Sequence, residues 1–274
     1  MSISIYVPGD SGALSVGADD VARAIVREAK ERQIEIDLVR NGSRGLYWLE
    51  PLVEVETESG RVAFGPVSEH DVPGLFESKF YQGDNPKPHP LALGVTEEIP
   101  YLQRQERFTF ARLGITDPLS LDHYRAHRGF RGLTRALAMD PQEIVEEIKT
   151  SGLRGRGGAA FPAGIKWQTV KDAAGEQKYI VCNADEGDSG TFADRLLMEG
   201  DPFALIEGMV IAGLAVGATE GYIYLRSEYP HAKATLERAI ESAYTAAYLG
   251  SDIQGSGKSF ELILRIGAGA YICG

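Results

Sequence analysis

The chain has 274 residues, of which 28 are Lys or Arg and 39 are Asp or Glu, so its formal net charge is −11. A hydrophobic fraction of 43% supplies a core and excludes a disordered chain. The acidic excess argues against nucleic acid, and against an anionic membrane surface, as the main partner. Two cysteines are too few for a disulfide scaffold, and by themselves too few to ligate an iron–sulfur cluster.

Neither a secretory signal nor a membrane span is indicated by the sequence. The N-terminus has no basic start followed by a long apolar run. The longest apolar stretch, 209–218, is about half the length that a bilayer span needs. These features predict a soluble, cytoplasmic protein.

The first region, 1–80, predicts a small α/β domain of thioredoxin-like type. Strands are predicted from alternating apolar residues and helices from apolar residues on one face. The predicted elements are a strand at 3–7, a helix capped by Asp19 or Asp20, a strand at 34–39, two strands at 52–56 and 61–64 around a turn at 58–60, and a short helix at 72–80.

A linker at 81–100 and a second domain at 101–274 are predicted next. Three prolines within 86–90 favour an extended spacer. In the second domain a helix starts at Asp140-Pro141, and strands alternate with helices, which favours a parallel sheet. The predicted elements after that helix are strands at 179–182, 221–226 and 260–266 and helices at 202–216 and 230–249.

The run SGLRGRGGAAFPAGIKW at 151–167 is the strongest candidate for a binding loop. Its glycines permit close approach of a ligand and leave amide groups free for phosphate oxygens, and Arg154, Arg156 and Lys166 add positive charge. A loose dinucleotide fingerprint is also present. Its context is wrong, since a helix precedes it and Pro162 interrupts the helix that should follow. A mobile surface loop is the alternative.

A second candidate, CNADEGDSG at 182–190, directly follows a predicted strand. Its polar side chains are Asn183, Asp185, Glu186 and Asp188. Such groups at the carboxyl end of a strand can bind ribose hydroxyls or the polar edge of a ring system. A metal site and a solvated acidic turn are the alternatives. Cys182 is predicted to be a buried packing thiol.

Four motifs in order resemble the family of FMN- and NADH-binding (complex I 51 kDa-like) subunits. They are GLRGRGGAAFPAGIKW at 152–167, VCNADEG at 181–187, TFADR at 191–195 and GAGAYICG at 267–274. The family includes the flavin subunit of respiratory complex I and the diaphorase subunits of NAD-reducing hydrogenases and soluble formate dehydrogenases. The resemblance implies a thioredoxin-like domain followed by a Rossmann-like FMN/NADH-binding domain with a parallel sheet.

Residue by residue, the resemblance assigns a flavin site and a nucleotide site. The positions that match FMN contacts are Gly155, Arg156, Gly157, Lys166, Asn183, Asp185, Glu186, Gly187 and Gly274. The positions that match NAD contacts are Phe161, Asp188 and Tyr271. Family members typically carry Glu where this chain has Asp188. Hydride transfer belongs to FMN, so no catalytic side chain and no metal ligand is expected in this chain.

Within the family, the sequence is most similar to the beta subunit of soluble NAD-dependent molybdenum formate dehydrogenase. The basis is Gly187-Asp188-Ser189-Gly190 and Ala193, where complex I relatives usually carry Ser-Glu-Pro-Gly and Lys. Segment 41–51 contains no cysteine where relatives hold a [2Fe–2S] cluster, so we expect a cluster-free docking module. The alternatives are the flavin-binding component of a hydrogenase or of NADH:quinone oxidoreductase and, in another class, a flavin-free scaffold.

The resemblance also implies partners and a further cofactor. A small [2Fe–2S] thioredoxin-like subunit and a cluster-bearing molybdenum subunit are the expected partners. In the family, two acidic residues follow the position of Gly274 and complete the flavin site, and a cysteine cluster beyond them binds [4Fe–4S]. We therefore expect the natural protein to continue past Gly274, and the present chain alone to bind FMN poorly or not at all.

Overall fold

A computed structural model describes residues 3–58, 60–82, 88–188 and 190–271. The chain divides into two compact units. Unit 1 comprises Met1–Pro118 with Glu199–Asp201, and unit 2 comprises Leu119–Met198 with Pro202–Gly274. This division differs from the predicted boundaries at residues 80 and 100.

The described residues of unit 1 form a five-stranded mixed sheet in the order β2-β1-β3-β4-β5. Strand β1 pairs parallel with β2 and antiparallel with β3, and β3, β4 and β5 follow as antiparallel neighbours. A βαβ unit followed by an antiparallel hairpin is the predicted thioredoxin-like arrangement, which is confirmed. The elements are β1 (Ile3–Tyr6), α1 (Ser11–Leu14), α2 (Ala18–Glu31), β2 (Ile36–Val39), β3 (Val53–Thr57), β4 (Gly60–Phe64), α3 (Val72–Glu77), β5 (Ala92–Val95) and α4 (Pro100–Gln103).

Two predicted details of unit 1 are wrong. Residues of β5 pair with β4 and so belong to the sheet, whereas the sequence predicted a Pro-rich linker over 81–100. Residues 83–87 of that linker lie outside the described residues. Helix α2 is preceded by Gly17 in a left-handed conformation, and Asp19 and Asp20 lie in its first turn rather than at its cap. Acidic groups there still face the positive end of the helix dipole. The aspartate that does cap a helix in this region is Asp10, at the start of α1, a helix that was not predicted.

Segment 41–51 is held by a buried polar network. Arg44 Nη2 lies 2.8 Å from Glu54 Oε1, and these side chains are 2% and 0% exposed. Arg44 Nη1 also donates to Glu97 Oε1 at 2.6 Å. Asn41 Nδ2 donates to the carbonyl of Gly114 at 2.6 Å. Segment 41–51, which has no cysteine, is therefore packed around buried charged and amide side chains.

Glu50 adds a buried carboxyl group to the same segment. Burial raises its pKa to about 7 against hydrogen bonds from the Ser43 hydroxyl and the Leu52 amide, and the nearby carboxylates of Asp10 and Glu54 also raise it. The folded chain therefore binds this proton more tightly than an ordinary glutamate with a pKa of 4.5 would. The contribution of this proton to the stability of the folded chain is fully present below about pH 4.5 and is lost as the pH rises through 7.

We expect Glu50→Gln to flatten this part of the pH dependence. In the unaltered chain, ionisation of Glu50 should lower the free energy of unfolding by on the order of 2 kcal/mol between pH 5 and pH 8. Urea unfolding at several pH values measures the effect, with exposed Glu35→Gln as the control in the same unit. Parallel pH profiles for the unaltered chain and Glu50→Gln would contradict the prediction.

The described residues of unit 2 form a parallel sheet in the order β6-β7-β8, which confirms the predicted parallel α/β domain. Helices α10 and α11 make the two crossovers. The elements are α5 (Leu121–Ala126), α6 (Arg131–Leu137), α7 (Pro141–Ser151), α8 (Ala163–Asp172), β6 (Tyr179–Ala184), α9 (Ala193–Gly200), α10 (Pro202–Val216), β7 (Glu220–Leu225), α11 (Pro230–Thr245) and β8 (Glu261–Ile266). Helix α9 ends in the residues assigned to unit 1.

Several helices of unit 2 differ from their predicted form. Helix α8 starts directly after Pro162, so this proline precedes a helix rather than interrupting one. Helix α9 was not predicted, and α11 ends at Thr245 rather than at 249. Helix α10 has the predicted bounds and buries Phe203, Ile206 and Val210. None of the helices in the described ranges is long and apolar enough to cross a membrane.

Candidate functional site

Three strand ends meet at one edge of the unit 2 sheet. The register places Ala184 beside Leu225 and Leu225 beside Ile266, and these are the last residues of β6, β7 and β8. The segments that follow the three strands therefore leave the sheet side by side. The carboxyl edge of a parallel sheet is where ligands bind in open α/β folds. Two of the predicted motifs lie at this edge, because 181–187 spans the end of β6 and 267–274 begins directly after β8.

The glycine-rich loop is closed at its base by backbone hydrogen bonds. Gly155 N donates to Phe161 O and Ala163 N donates to Leu153 O, both at 2.8 Å. Arg154 Nε donates to the carbonyl of Ala160 at 2.6 Å, which ties the arginine to the loop itself. The loop therefore runs from the end of α7 to the start of α8 as a defined turn of chain.

Within this loop the predicted ligand-binding groups face open space. No atom lies within 4 Å of a Cβ built at Gly157 or Gly158. A Cβ built at Gly155 would lie 3.8 Å from Lys166 Nζ, so the ammonium group lies near the backbone of Gly155. Arg156 is exposed, and Phe161 is 47% exposed. The loop thus combines accessible backbone with positive charge.

Helix α8 reaches this position because Gly164 lets it pack closely on α7. A Cβ at Gly164 would lie 2.6 Å from Lys149 Cγ and 2.7 Å from Lys149 N. The side chain of Gln168 joins the two helices by accepting from Lys149 Nζ at 2.7 Å and from Gln142 at 2.8 Å. Lys166 is carried on the first turns of α8, so this packing sets its distance from the loop.

The loop after β6 brings together a second set of predicted residues. Asn183 Oδ1 accepts from Asp185 N at 3.2 Å, and Asp185 is buried. A Cβ at Gly187 would lie 3.3 Å from Asp185 Oδ2 and 3.6 Å from the ring of Tyr271, so the tyrosine lies against this glycine. Tyr271 is 76% exposed, and Asp188 is exposed as well.

The carboxylate of Glu186 is occupied by donors from the protein. It accepts from Asp194 N at 2.8 Å, from Arg195 N at 3.1 Å and from the Tyr229 hydroxyl at 2.8 Å. The sequence had not singled out Tyr229, nor Arg226, whose Nη1 donates to the carbonyl of Glu186. The available signals were that Arg226 directly follows a strand and that Tyr229 precedes the proline of a helix.

The structure therefore forms two sets of candidate residues. The glycine loop with Lys166 is one set, and the β6 loop with Tyr271 is the other. Within 88–188 and 190–271, the hydrogen bonds and close approaches described above join residues of the same set. None of them joins a residue of one set to a residue of the other. Gly274 lies outside the described residues.

Two further chemical features bear on the site. Burial raises the pKa of Cys182 to about 11, so this half-buried thiol in β6 stays protonated near neutrality, as a packing residue would. Among the described residues, no group of three or more His, Cys, Asp or Glu side chains is arranged to hold a metal ion.

Comparison with protein families matches residues 148–274 to the family described as the Nuo51 FMN-binding domain. The chain is 49% identical over 172 residues to HndC of the NADP-reducing hydrogenase of Solidesulfovibrio fructosivorans, covering 63% of this chain and 35% of that protein. It is 51% identical over 161 residues to a component of the NADH-quinone oxidoreductase of Rhizobium meliloti, covering 58% and 38%. The chain thus spans little more than a third of the length of these relatives.

Two solved structures are also similar. An NAD⁺-reducing [NiFe]-hydrogenase in the air-oxidized state shares 23% identity at a TM-score of 0.48, covering 99% of this chain and 44% of that chain. A thioredoxin-like [2Fe–2S] ferredoxin from Aquifex aeolicus shares 20% identity at a TM-score of 0.29, covering 34% of this chain and 97% of that chain.

Proposed function

We propose that this chain is part of the flavin subunit of an NAD(H)-dependent oxidoreductase, because residues 148–274 match the family described as the Nuo51 FMN-binding domain. In this role it passes electrons between NAD⁺/NADH and iron–sulfur clusters through FMN. One observation carries the proposal. The matched range starts within α7 and includes both sets of candidate residues, the glycine loop and the segments that leave the carboxyl edge of the sheet.

The donor groups of the two sets fit an FMN molecule. The open backbone at Gly157, with Arg156 and with Lys166 beside Gly155, suits a phosphate group. Asn183 and Asp185 suit hydroxyl groups of the ribityl chain, since they present amide and carboxylate oxygens. When bound, FMN exchanges a pair of electrons with the nicotinamide and single electrons with clusters. We extend the flavin site to Gly187 and Gly274 by the family resemblance.

For NAD we propose contacts from Phe161, Asp188 and Tyr271. The two aromatic rings are 47% and 76% exposed, so their faces are available for stacking on a base or a nicotinamide ring. The carboxylate of Asp188 is exposed and can accept hydrogen bonds from ribose hydroxyls. In this scheme the side chains bind and orient the nucleotide, and none of them acts as a general acid or base.

The ultimate electron donor that we propose is formate. The support is the sequence at 187–190 with Ala193, together with a cysteine-free segment 41–51. The proposed partners are a small [2Fe–2S] thioredoxin-like subunit and a cluster-bearing molybdenum subunit. A [4Fe–4S] cluster needs four ligands, so two cysteines cannot hold it and other residues or subunits must contribute.

A visible absorbance spectrum of the native protein tests the proposal. We expect a flavin band that bleaches on anaerobic addition of NADH. A protein without flavin that also fails to take up added FMN would refute the proposal and leave the flavin-free scaffold. Anaerobic formate, hydrogen or a quinol as the reductant then distinguishes the donors, since formate should bleach the same band only in a formate dehydrogenase.

A further inference from the structure

The first amides of helix α9 bind a side chain from outside the helix. Phe192 precedes it with a left-handed φ of 53° and an aromatic side chain that cannot accept from the first amides of the helix. Glu186 supplies the missing acceptor from the β6 loop, because its carboxylate binds Asp194 N and Arg195 N. A carboxylate in this place also faces the positive end of the helix dipole.

The segment between β7 and α11 holds Glu186 from the other side. Tyr229 donates its hydroxyl to Glu186 Oε2 at 2.8 Å, and Arg226 Nη1 donates to the carbonyl oxygen of Glu186 at 2.6 Å. The guanidinium of Arg226 also lies 4.9 Å from the centre of the Tyr229 ring, and that of Arg195 lies 5.7 Å from it. Residues that follow the end of β7 thus fix both the side chain and the main chain of Glu186.

This support is needed because of the conformation of Glu186. Its φ is 42°, in the left-handed region that a residue with a side chain seldom adopts. Asp185, Gly187 and Asp188 flank it, so the direction of the loop depends on this one backbone position. Without external hydrogen bonds the residue would relax towards an ordinary conformation and redirect its neighbours.

We propose that Arg226 and Tyr229 are positioning residues of the flavin site, which act by holding Glu186 and hence the loop at 185–188. The inference rests on the proposed function, since it assigns a purpose to the geometry of that loop. Under this proposal the carboxylate of Glu186 stays bound to the protein, where it caps α9. Glu186 then shapes the flavin site through the position of its backbone.

The first test needs no flavin. In flavin-free protein, hydrogen–deuterium exchange at the amides of Asp194 and Arg195 should become severalfold faster in Tyr229→Phe and Arg226→Met. Tyr244→Phe is the matched control, because it removes a hydroxyl that donates at 2.7 Å to Glu261, at the amino end of β8 and so at the opposite edge of the sheet. Unchanged exchange in both site variants would overturn the proposal.

The second test measures the dissociation constant of FMN by quenching of its fluorescence. We expect it to rise roughly tenfold in Tyr229→Phe and in Arg226→Met, as for a lost hydrogen bond to a charged group, and Arg226→Lys to restore part of the affinity. Equal weakening in Tyr244→Phe, or no weakening in the site variants, would overturn the positioning role. These measurements use the native full-length protein, and if that protein without a substitution bound no FMN, the proposed function itself would fail.

Discussion

Replacing Arg44 by Met should destabilise unit 1 by about 3–5 kcal/mol, since it leaves a buried carboxylate without its partner. Glu54 is 0% exposed, and Arg44 Nη2 lies 2.8 Å from it. A Met side chain fills much of the same space but donates nothing. The remaining neighbours are weaker substitutes, because Asn41 Nδ2 lies 3.4 Å and Arg61 Nη1 lies 3.9 Å from Glu54 Oε2.

The two tryptophans allow the units to be followed separately. Trp48 lies in unit 1 and Trp167 in unit 2, and the chain has no other tryptophan. Denaturant unfolding in a Trp167→Phe background therefore reports unit 1 by the fluorescence of Trp48. Arg44→Met should shift the midpoint of that transition to a markedly lower denaturant concentration.

A matched control removes an exposed ion pair of the same unit. Arg23 pairs with Asp20 on the surface of α2, where the side chains are 69% and 55% exposed. Arg23→Met should cost less than about 1 kcal/mol. The double variant Arg44→Met with Glu54→Met should cost less than the sum of the single variants, because no unpaired charge is left. Equal shifts for Arg44→Met and Arg23→Met would contradict the prediction.

The sheet of unit 2 could be predicted because its signals are local. Apolar runs bounded by glycine or proline indicate buried strands, and Asp140-Pro141 marks a helix start whose capping box the structure contains. Helix α9 was missed for the opposite reason. Its cap is Glu186, which is eight residues away from Asp194 in the sequence, so no local pattern marks the start of the helix.

The boundary between the units depends on tertiary contacts that composition does not reveal. Within unit 1, the carboxylate of Glu199 accepts from the amide and hydroxyl of Ser11 at 2.8 and 2.7 Å, and Asp201 pairs with Arg112 at 2.9 Å. These partners are separated by 89 to 188 residues along the chain. The prolines at 86–90 are an obvious break in the sequence, yet the chain returns to the sheet at β5.

In the candidate site, too, the contacts that depend on tertiary structure could not be predicted from the sequence. Its motif residues could be named from their types and order, and the structure places Gly155 near Lys166 and Gly187 against Tyr271. Arg226 and Tyr229 could not be named in this way. Their contacts with Glu186 arise because parallel pairing sets the ends of β6 and β7 side by side, and that pairing is a property of the fold.

The close packing of α7 on α8 gives the second large expected effect, which falls on stability and on flavin binding together. Gly164→Val should lower the free energy of unfolding by about 3 kcal/mol, near the upper end for an overpacked site. The added atoms would meet the backbone of Lys149, since a Cβ alone comes within 2.7 Å of its amide nitrogen and 2.9 Å of its Cα. Backbone cannot move aside as the end of a flexible side chain can.

Separation of the helices should also open the glycine loop, because the loop joins the end of α7 to the start of α8. The bonds from Gly155 N to Phe161 O and from Ala163 N to Leu153 O would then lengthen, and Lys166 would move from its place beside Gly155. We therefore expect FMN affinity to fall by at least tenfold under conditions where the variant is still folded, corresponding to about 1.4 kcal/mol or more.

Gly208→Val is the matched control for this prediction. Gly208 is an exposed residue of α10, and no atom lies within 4 Å of a Cβ built there. Valine at this position should be neutral or slightly stabilising, because glycine is the poorer helix former. Unfolding is followed by Trp167 in a Trp48→Phe background and binding by the fluorescence of FMN. Should Gly164→Val keep both its stability and its affinity, the packing of these helices would not be what places the loop and Lys166.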